Sequence, residues 1–174
     1  AKFPLVASAA VGAVPVAPDS LFLKVAPNSV VSSFGDLIDN GSLSANAPLF
    51  NTTEDEYYNQ IYSSQQAQKQ ALKNATIAVT HTIGNPNIVS LATVNSGALV
   101  AVYMNDQYVI KPKKATQAVA VAGNEKILLG SAGSTSGIRS TYGSMLLFYI
   151  PASASKDKIV TLGATQVLLS VRSL

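Results

Sequence analysis

The chain has no cysteine and no tryptophan among its 174 residues. The first absence excludes a disulfide framework, a thiol nucleophile and any zinc or iron–sulfur site built on thiolates. It does not fix the compartment. The second removes the largest aromatic platform on which a sugar could stack. Charge is also scarce: 12% of residues are Asp, Glu, Lys or Arg, against roughly a quarter in an ordinary soluble domain. Serine, threonine, asparagine and glutamine take their place, a surface that suits a protein outside the cytoplasm. Arginine occurs only at Arg139 and Arg172, and the single clustered group of basic residues is Lys111, Lys113 and Lys114. A nucleic-acid binder shows a concentrated basic face with arginine or aromatic interleaving, so nucleic acid is not expected as a partner. No run approaches the ~18 apolar residues that span a bilayer. The apolar opening is interrupted by Pro4 and Pro15 and lacks the compact core of a signal peptide. An export signal, if the protein is exported, is expected upstream of this sequence.

What is present is 48% hydrophobic residues, enough to build a core in a chain of this length without a staple. The stretch that organises the reading is Tyr142 to Pro151. Met145 to Ile150 are consecutive large apolar residues stopped by Pro151. A run this short and this apolar predicts a strand buried on both faces.

Residues 1–25 read as an extended arm, because Pro4, Pro15 and Pro18 disfavour helix. Residues 26–174 read as one domain. Within the arm, Leu21 to Val25 is expected to add an edge strand or to pack on the core. A first helix is predicted from Pro27, where a missing N–H costs nothing. Val30, Val31, Phe34, Leu37 and Ile38 share one helical face, and Asp39-Asn40-Gly41 ends it. Thr53 and Glu56 have the spacing of a capping box for a second helix running through Tyr58, Ile61, Tyr62, Leu72 and Ala75. Its middle is polar, so it should pack only at its ends.

From Thr76 the period becomes two. Strands are predicted from Thr76, over 88–94, from 98 to 104 and on to Ile110, over 116–122, 137–150 and 158–171. Asn105-Asp106-Gln107 is expected as a bulge in the long third strand, Gly163 as a bulge in the last, Gly84 to Asn87 as a turn, and 124–136 as a loop. Two helices followed by hairpin-linked strands give an α+β fold, with two N-terminal helices packed on a curved antiparallel sheet of about five or six strands.

Candidate chemistry is sparse. His81 shares a strand face with Ile77 and Val79, but no acid neighbours it in sequence, so neither a triad nor a metal site is announced. Glu54, Asp55 and Glu56 are adjacent, whereas hard-cation loops space their acids; helix capping explains them better. Tyr57, Tyr58 and Tyr62, with Tyr103 and Tyr108, can line a pocket or fill a core. A ligand pocket of Tyr58, Tyr62, His81 and Tyr103 is the candidate binding site. Lys111, Lys113 and Lys114 are the candidate membrane-surface residues, but three charges are few, and a solvated loop guarding a sheet edge explains them better. Gly130 to Gly137 has the composition of a phosphate loop but lacks its lysine and precedes a strand. No catalytic residue, metal or cofactor is expected.

Several segments, in order, resemble an uncharacterised family of actinobacterial extracytoplasmic proteins, mostly predicted lipoproteins. They are Val16-Ala17-Pro18-Asp19, the Pro27 helix ending at Asn40-Gly41, Gln68 to Leu72, Gly97 to Val100, Tyr142-Gly143, Phe148 to Pro151, and Leu162-Gly163-Ala164. The resemblance implies that this region is the C-terminal part of a longer protein with an upstream domain and a lipidated cysteine. It would then be secreted or held at the outer face of the membrane, touching the membrane only through that anchor. It brings no catalytic residues. The helix-then-curved-sheet order is also similar to cystatin-like and nuclear-transport-factor-like folds. The expectation is a non-enzymatic binding or structural module of the cell envelope, partnered by another envelope protein. The alternative is a cone-shaped domain that holds a small ligand, with weak catalysis.

Overall fold

Pro27 opens the helical part of the chain as its missing N–H allows: Pro27–Ser29 form a single 3-10 turn that leads into α1, Val30–Asn40. The apolar face of α1 is buried at Val30, Val31, Phe34, Leu37 and Ile38. Each such side chain contributes about 2 kcal/mol relative to exposure. Gly41 ends the helix with φ 56°, and its N–H bonds the Leu37 carbonyl. The computed structural model describes all residues except 1, 2, 9, 11, 85 and 86. The expected turn at Gly84 to Asn87 therefore lies partly outside the described residues, as do four positions of the arm.

The second helix, α2, spans Glu56–Ala71. Its cap is Asp55, not Thr53. The Tyr58 N–H donates to one Asp55 oxygen at 2.9 Å, and the other oxygen accepts from the Thr161 N–H at 3.2 Å. The chain turns once more before entering the helix, which places a full negative charge at the positive end of the dipole. The helix stops at Ala71, because Ala75 already belongs to the first strand.

The strands are β1 Ala75–Ile83, β2 Val89–Ala92, β3 Ala98–Pro112, β4 Val119–Ala120, β5 Gly133–Ser134, β6 Ile138–Ile150 and β7 Val160–Ser173. The fold is α+β. Its main sheet is antiparallel, in the order β1-β3-β6-β7, with β2 pairing the Ala98 end of β3 beside β1. The expected bulge at Asn105 to Gln107 is absent. β3 keeps an unbroken register with β6 from Ala98↔Ile150 to Ile110↔Ile138, and Asp106 sits opposite His81 on the other side. The β6–β7 register shifts twice, leaving Leu162 and Leu169 without an opposite residue. The first shift lies next to Gly163, which itself pairs with Leu147. The strand expected over 116–122 shrinks to Val119–Ala120, and the expected loop over 124–136 holds α3, Gly123–Leu129, as well as β5. Glu125 to Leu129 are good helix formers, and Gly123 and Gly130, with φ 52° and 73°, bracket them.

The helices cover one face of the sheet only. Leu146, Phe148 and Ile150 are buried on that inner face, but Met145 is 60% exposed on the other. The run at 145–150 is thus a one-sided strand with an apolar back, not a strand covered twice. The inner face carries two apolar clusters. The larger is centred on Phe34, whose ring lies 5.6 Å from Phe50 and 5.1 Å from Phe148. The smaller joins Ile110, Val119 and Ile138 to Leu72, Ile77 and Leu129. The arm runs beside β2, bridging at Val6↔Thr93 and Pro15↔Leu91, then at Leu23↔Ala152 near the end of β6. Leu23 and Val25 enter the larger cluster, while Leu21 and Phe22 stand exposed.

Candidate functional site

Between the two apolar clusters the inner face is polar. Strand register places His81, Asp106 and Tyr142 in one row across β1, β3 and β6. His81 Nδ1 lies 2.6 Å from Asp106 Oδ1, and its Nε2 lies 3.6 Å from Asp39 Oδ1 on α1. The other Asp106 oxygen accepts from Ser144 Oγ at 2.9 Å and from Gln166 Nε2 at 3.0 Å. Tyr57 of α2 donates to Ser144 Oγ at 3.3 Å. His81, which has no acid neighbour in sequence, therefore has two in space. Burial opposes charge on the imidazole, but the Asp106 and Asp39 carboxylates outweigh it and raise the pKa from 6.5 to about 9. His81 is an imidazolium at neutral pH, and its side chain is 3% exposed. A group that already holds its proton and meets no solvent is a poor general base. This row is a buried ion cluster that ties α1 to the sheet.

Beside it lies a cavity of about 320 Å³. Helix α2 contributes Ile61, Ser64, Gln65 and Gln68; the sheet contributes Tyr108, Tyr142 and Gln166; α3 contributes Glu125. Gln166 is shared between cavity wall and ion cluster. Tyr108 and Tyr142 meet edge to face at 5.4 Å. One Glu125 oxygen, Oε1, accepts from Ser140 Oγ at 2.8 Å and from the Tyr142 hydroxyl at 3.4 Å. Burial, then the Glu125 charge, pushes the Tyr142 hydroxyl up to about 12, so it stays a donor. Burial and the Asp106 charge push Tyr108 up as well.

Gln65 is the unusual member. It is 1% exposed in the middle of an otherwise polar, solvent-facing part of α2. Its Oε1 accepts from Lys69 Nζ at 3.3 Å, while its Nε2 has no hydrogen-bond partner. Gln65 lies near enough to the Tyr108 oxygen to favour the ionised form of that hydroxyl, in a geometry that makes no hydrogen bond. A buried donor without an acceptor costs about 1–3 kcal/mol, so this N–H₂ is the group of the wall that an incoming acceptor would satisfy.

The pocket expected from Tyr58, Tyr62, His81 and Tyr103 does not form. Tyr58 is buried in the larger cluster and stacks on Tyr62 with ring centroids 5.6 Å apart. Tyr62 covers Gly41. His81 is sealed under α1, against Gly35 and Asp39. Tyr103 pairs in register with Met145 and lies on the outer face over Gly143. The alternation of β3 puts it on the opposite side from Asp106. Lys111, Lys113 and Lys114 are exposed near the end of β3, and Lys113 Nζ donates to the Lys73 carbonyl at 2.9 Å. Among the described residues no group of acids and histidines could hold a metal ion, and no helix is long and apolar enough to cross a membrane. Tyr108, which the sequence leaves open between pocket and core and outside the candidate pocket, lines this cavity. Gln65 is not singled out in the sequence, although it follows Tyr58 and Ile61 at helical spacing, which is the signal for an inward face.

A larger hollow, about 660 Å³, lies where Phe3 to Leu5 of the arm face Val94 and Tyr149. None of its lining residues carries a buried polar atom without a partner. It lies between the arm, the sheet edge and residues 157–160, and its polar lining residues, Asn51, Asn95, Asp157 and Lys158, leave no buried donor or acceptor waiting for a ligand, unlike Gln65 in the smaller cavity. No family model, no curated protein and no solved structure matches the chain.

Proposed function

We propose that this chain is a small-ligand-binding domain that acts without catalysis and takes its ligand in the cavity between α2, α3 and the inner face of the sheet. The observation that carries this reading is Gln65: a nearly fully buried carboxamide, bordering a cavity, with a donor left unpaired. A volume of 320 Å³ is at the small end of ligand sites. The polar wall around one apolar side chain, Ile61, suits a polar ligand. The histidine and tyrosines argue for holding over reacting, since His81 is charged and sealed and both cavity tyrosines hold their protons, which leaves Glu125 without a second proton-moving group to act with. The cavity favours this reading over a purely structural role at the envelope. An extracytoplasmic location, from the sequence resemblance, remains part of the proposal.

Native mass spectrometry of the chain purified from its natural source tests it. The expected spectrum shows a reproducible small adduct that disappears in Ser64→Trp, where an exposed helix position is used to fill the cavity mouth. A bare mass, together with a melting temperature that a metabolite extract leaves unmoved, would overturn the reading.

A further inference from the structure

We infer that the ligand is a small organic cation, an amine that also bears a hydrogen-bond acceptor, with its ammonium on the Glu125 carboxylate and its acceptor on Gln65 Nε2. This rests on the cavity being a ligand site and adds the chemical class. The lining contains one acidic side chain, Glu125, and no basic one. Among the described residues the donors to that carboxylate, Ser140 and Tyr142, both use Oε1, and Glu125 makes no salt bridge. A ligand entering this cavity strips water from the carboxylate. A neutral ligand leaves that cost standing, an anion adds repulsion to it, and a cation offsets it.

The surrounding charges agree in sign. Behind the wall, His81 faces both Asp106 and Asp39, so the cluster carries one net negative charge when all are ionised. Lys69 is the cation bonded to a wall residue. It sits on the Gln65 carbonyl and is not part of the wall. Adding Glu125, the site remains net negative. Tyr108 and Tyr142 both line the cavity, and aromatic rings are compatible neighbours for an ammonium. Gln65 then explains why a bare cation is insufficient. Lys69 holds its carbonyl, leaving the amide N–H₂ as the free end, and a donor needs a hydroxyl or carbonyl oxygen opposite it.

Titration calorimetry on the full chain tests the class. The probes are ethanolamine, choline, putrescine and D-glucosamine, each against a neutral counterpart of equal size, with D-glucose and D-glucose 6-phosphate sharing the glucosamine ring. The expected result is that at least one hydroxylated amine binds ten-fold or more tightly than its neutral counterpart. That preference should vanish in Glu125→Gln, which keeps the side-chain shape, and all binding should vanish in Ser64→Trp. Thermal unfolding of both variants shows that each is folded. Neutral or anionic binding that Ser64→Trp removes and Glu125→Gln leaves intact would overturn the amine assignment and leave the cavity reading standing. No binding of any probe to the wild-type chain overturns the amine assignment, and the native mass spectrum decides the cavity reading separately.

Discussion

The His81 ion cluster makes the stability of this protein depend on pH in a window where few other groups titrate. In the folded chain the imidazole pKa is raised from 6.5 to about 9, because Asp106 and Asp39 favour the charged form more than burial disfavours it. A group whose pKa is higher in the folded state contributes fully below its unfolded value and loses that contribution as pH rises through the folded one. The contribution is therefore complete below pH 6.5, drains between 6.5 and about 9, and is absent above. At about 1.4 kcal/mol per pKa unit, the loss amounts to roughly 3 kcal/mol. Tyr57, Tyr58, Tyr108, Tyr142 and Tyr149 have pKa values raised above 10 and stay protonated throughout, so they do not obscure it. The chain has a single histidine, so one imidazole proton resonance reports its titration directly. The expected midpoint in the native protein is near 9, with urea-unfolding free energies falling by a matching amount across the same interval. Asp106→Asn should bring the midpoint down and cost about 3–5 kcal/mol, because it leaves the imidazole buried beside one distant acid. A native midpoint at or below 6.5 would show that burial wins, that His81 is neutral, and that the cluster is not ionic.

Two further outcomes follow from the packing. Gly35→Ala sets a methyl 2.6 Å from the Cβ of His81, an atom close to the backbone that cannot swing away. It should cost about 1–3 kcal/mol in denaturant unfolding, and a neutral result would mean that α1 slides easily on β1. Asp55→Ala removes both the α2 cap and the acceptor for the Thr161 N–H, so a loss of about 1–2 kcal/mol by thermal unfolding is expected, with Asp55→Asn recovering much of it.

What the sequence made readable was what local patterns carry. The α1 face was visible as spacing, and Val30 to Ile38 are buried as that spacing requires. The alternation of β1 was visible too, and His81 does face inward with Ile77 and Val79. The polar row was not readable, because its members are chosen by partners far away. Asp106 interrupts an apolar alternation and therefore resembles a bulge, until His81, 25 residues earlier, is seen opposite it. Gln65 is hidden for the same reason, since only its burial against the sheet separates it from its solvated neighbours. Met145 failed in the opposite direction. A continuous apolar run does not say whether the second face has a cover, and here the helices all go to one side. Glu125 escaped notice because short helical runs between glycines carry too little period to separate from loop.

The polar row also divides the interior. Beyond it, toward Ile110 and Ile138, the buried apolar group is small, while the Phe34 side holds most of the core. One continuous strand, β3, crosses the division, with Val100 and Val102 anchored on the large side and Ile110 on the small. The same hydrogen-bonded ladder therefore spans two levels of local stability, and its far end opens at a lower free energy than its base. The cavity sits at that boundary, against Tyr108 and Tyr142. A ligand held there, as proposed, would tether α3 and α2 to the less stable half of the sheet. Under that proposal occupancy and the breathing of that half would be one equilibrium, and filling the cavity would close the end of the molecule that its own core holds least firmly.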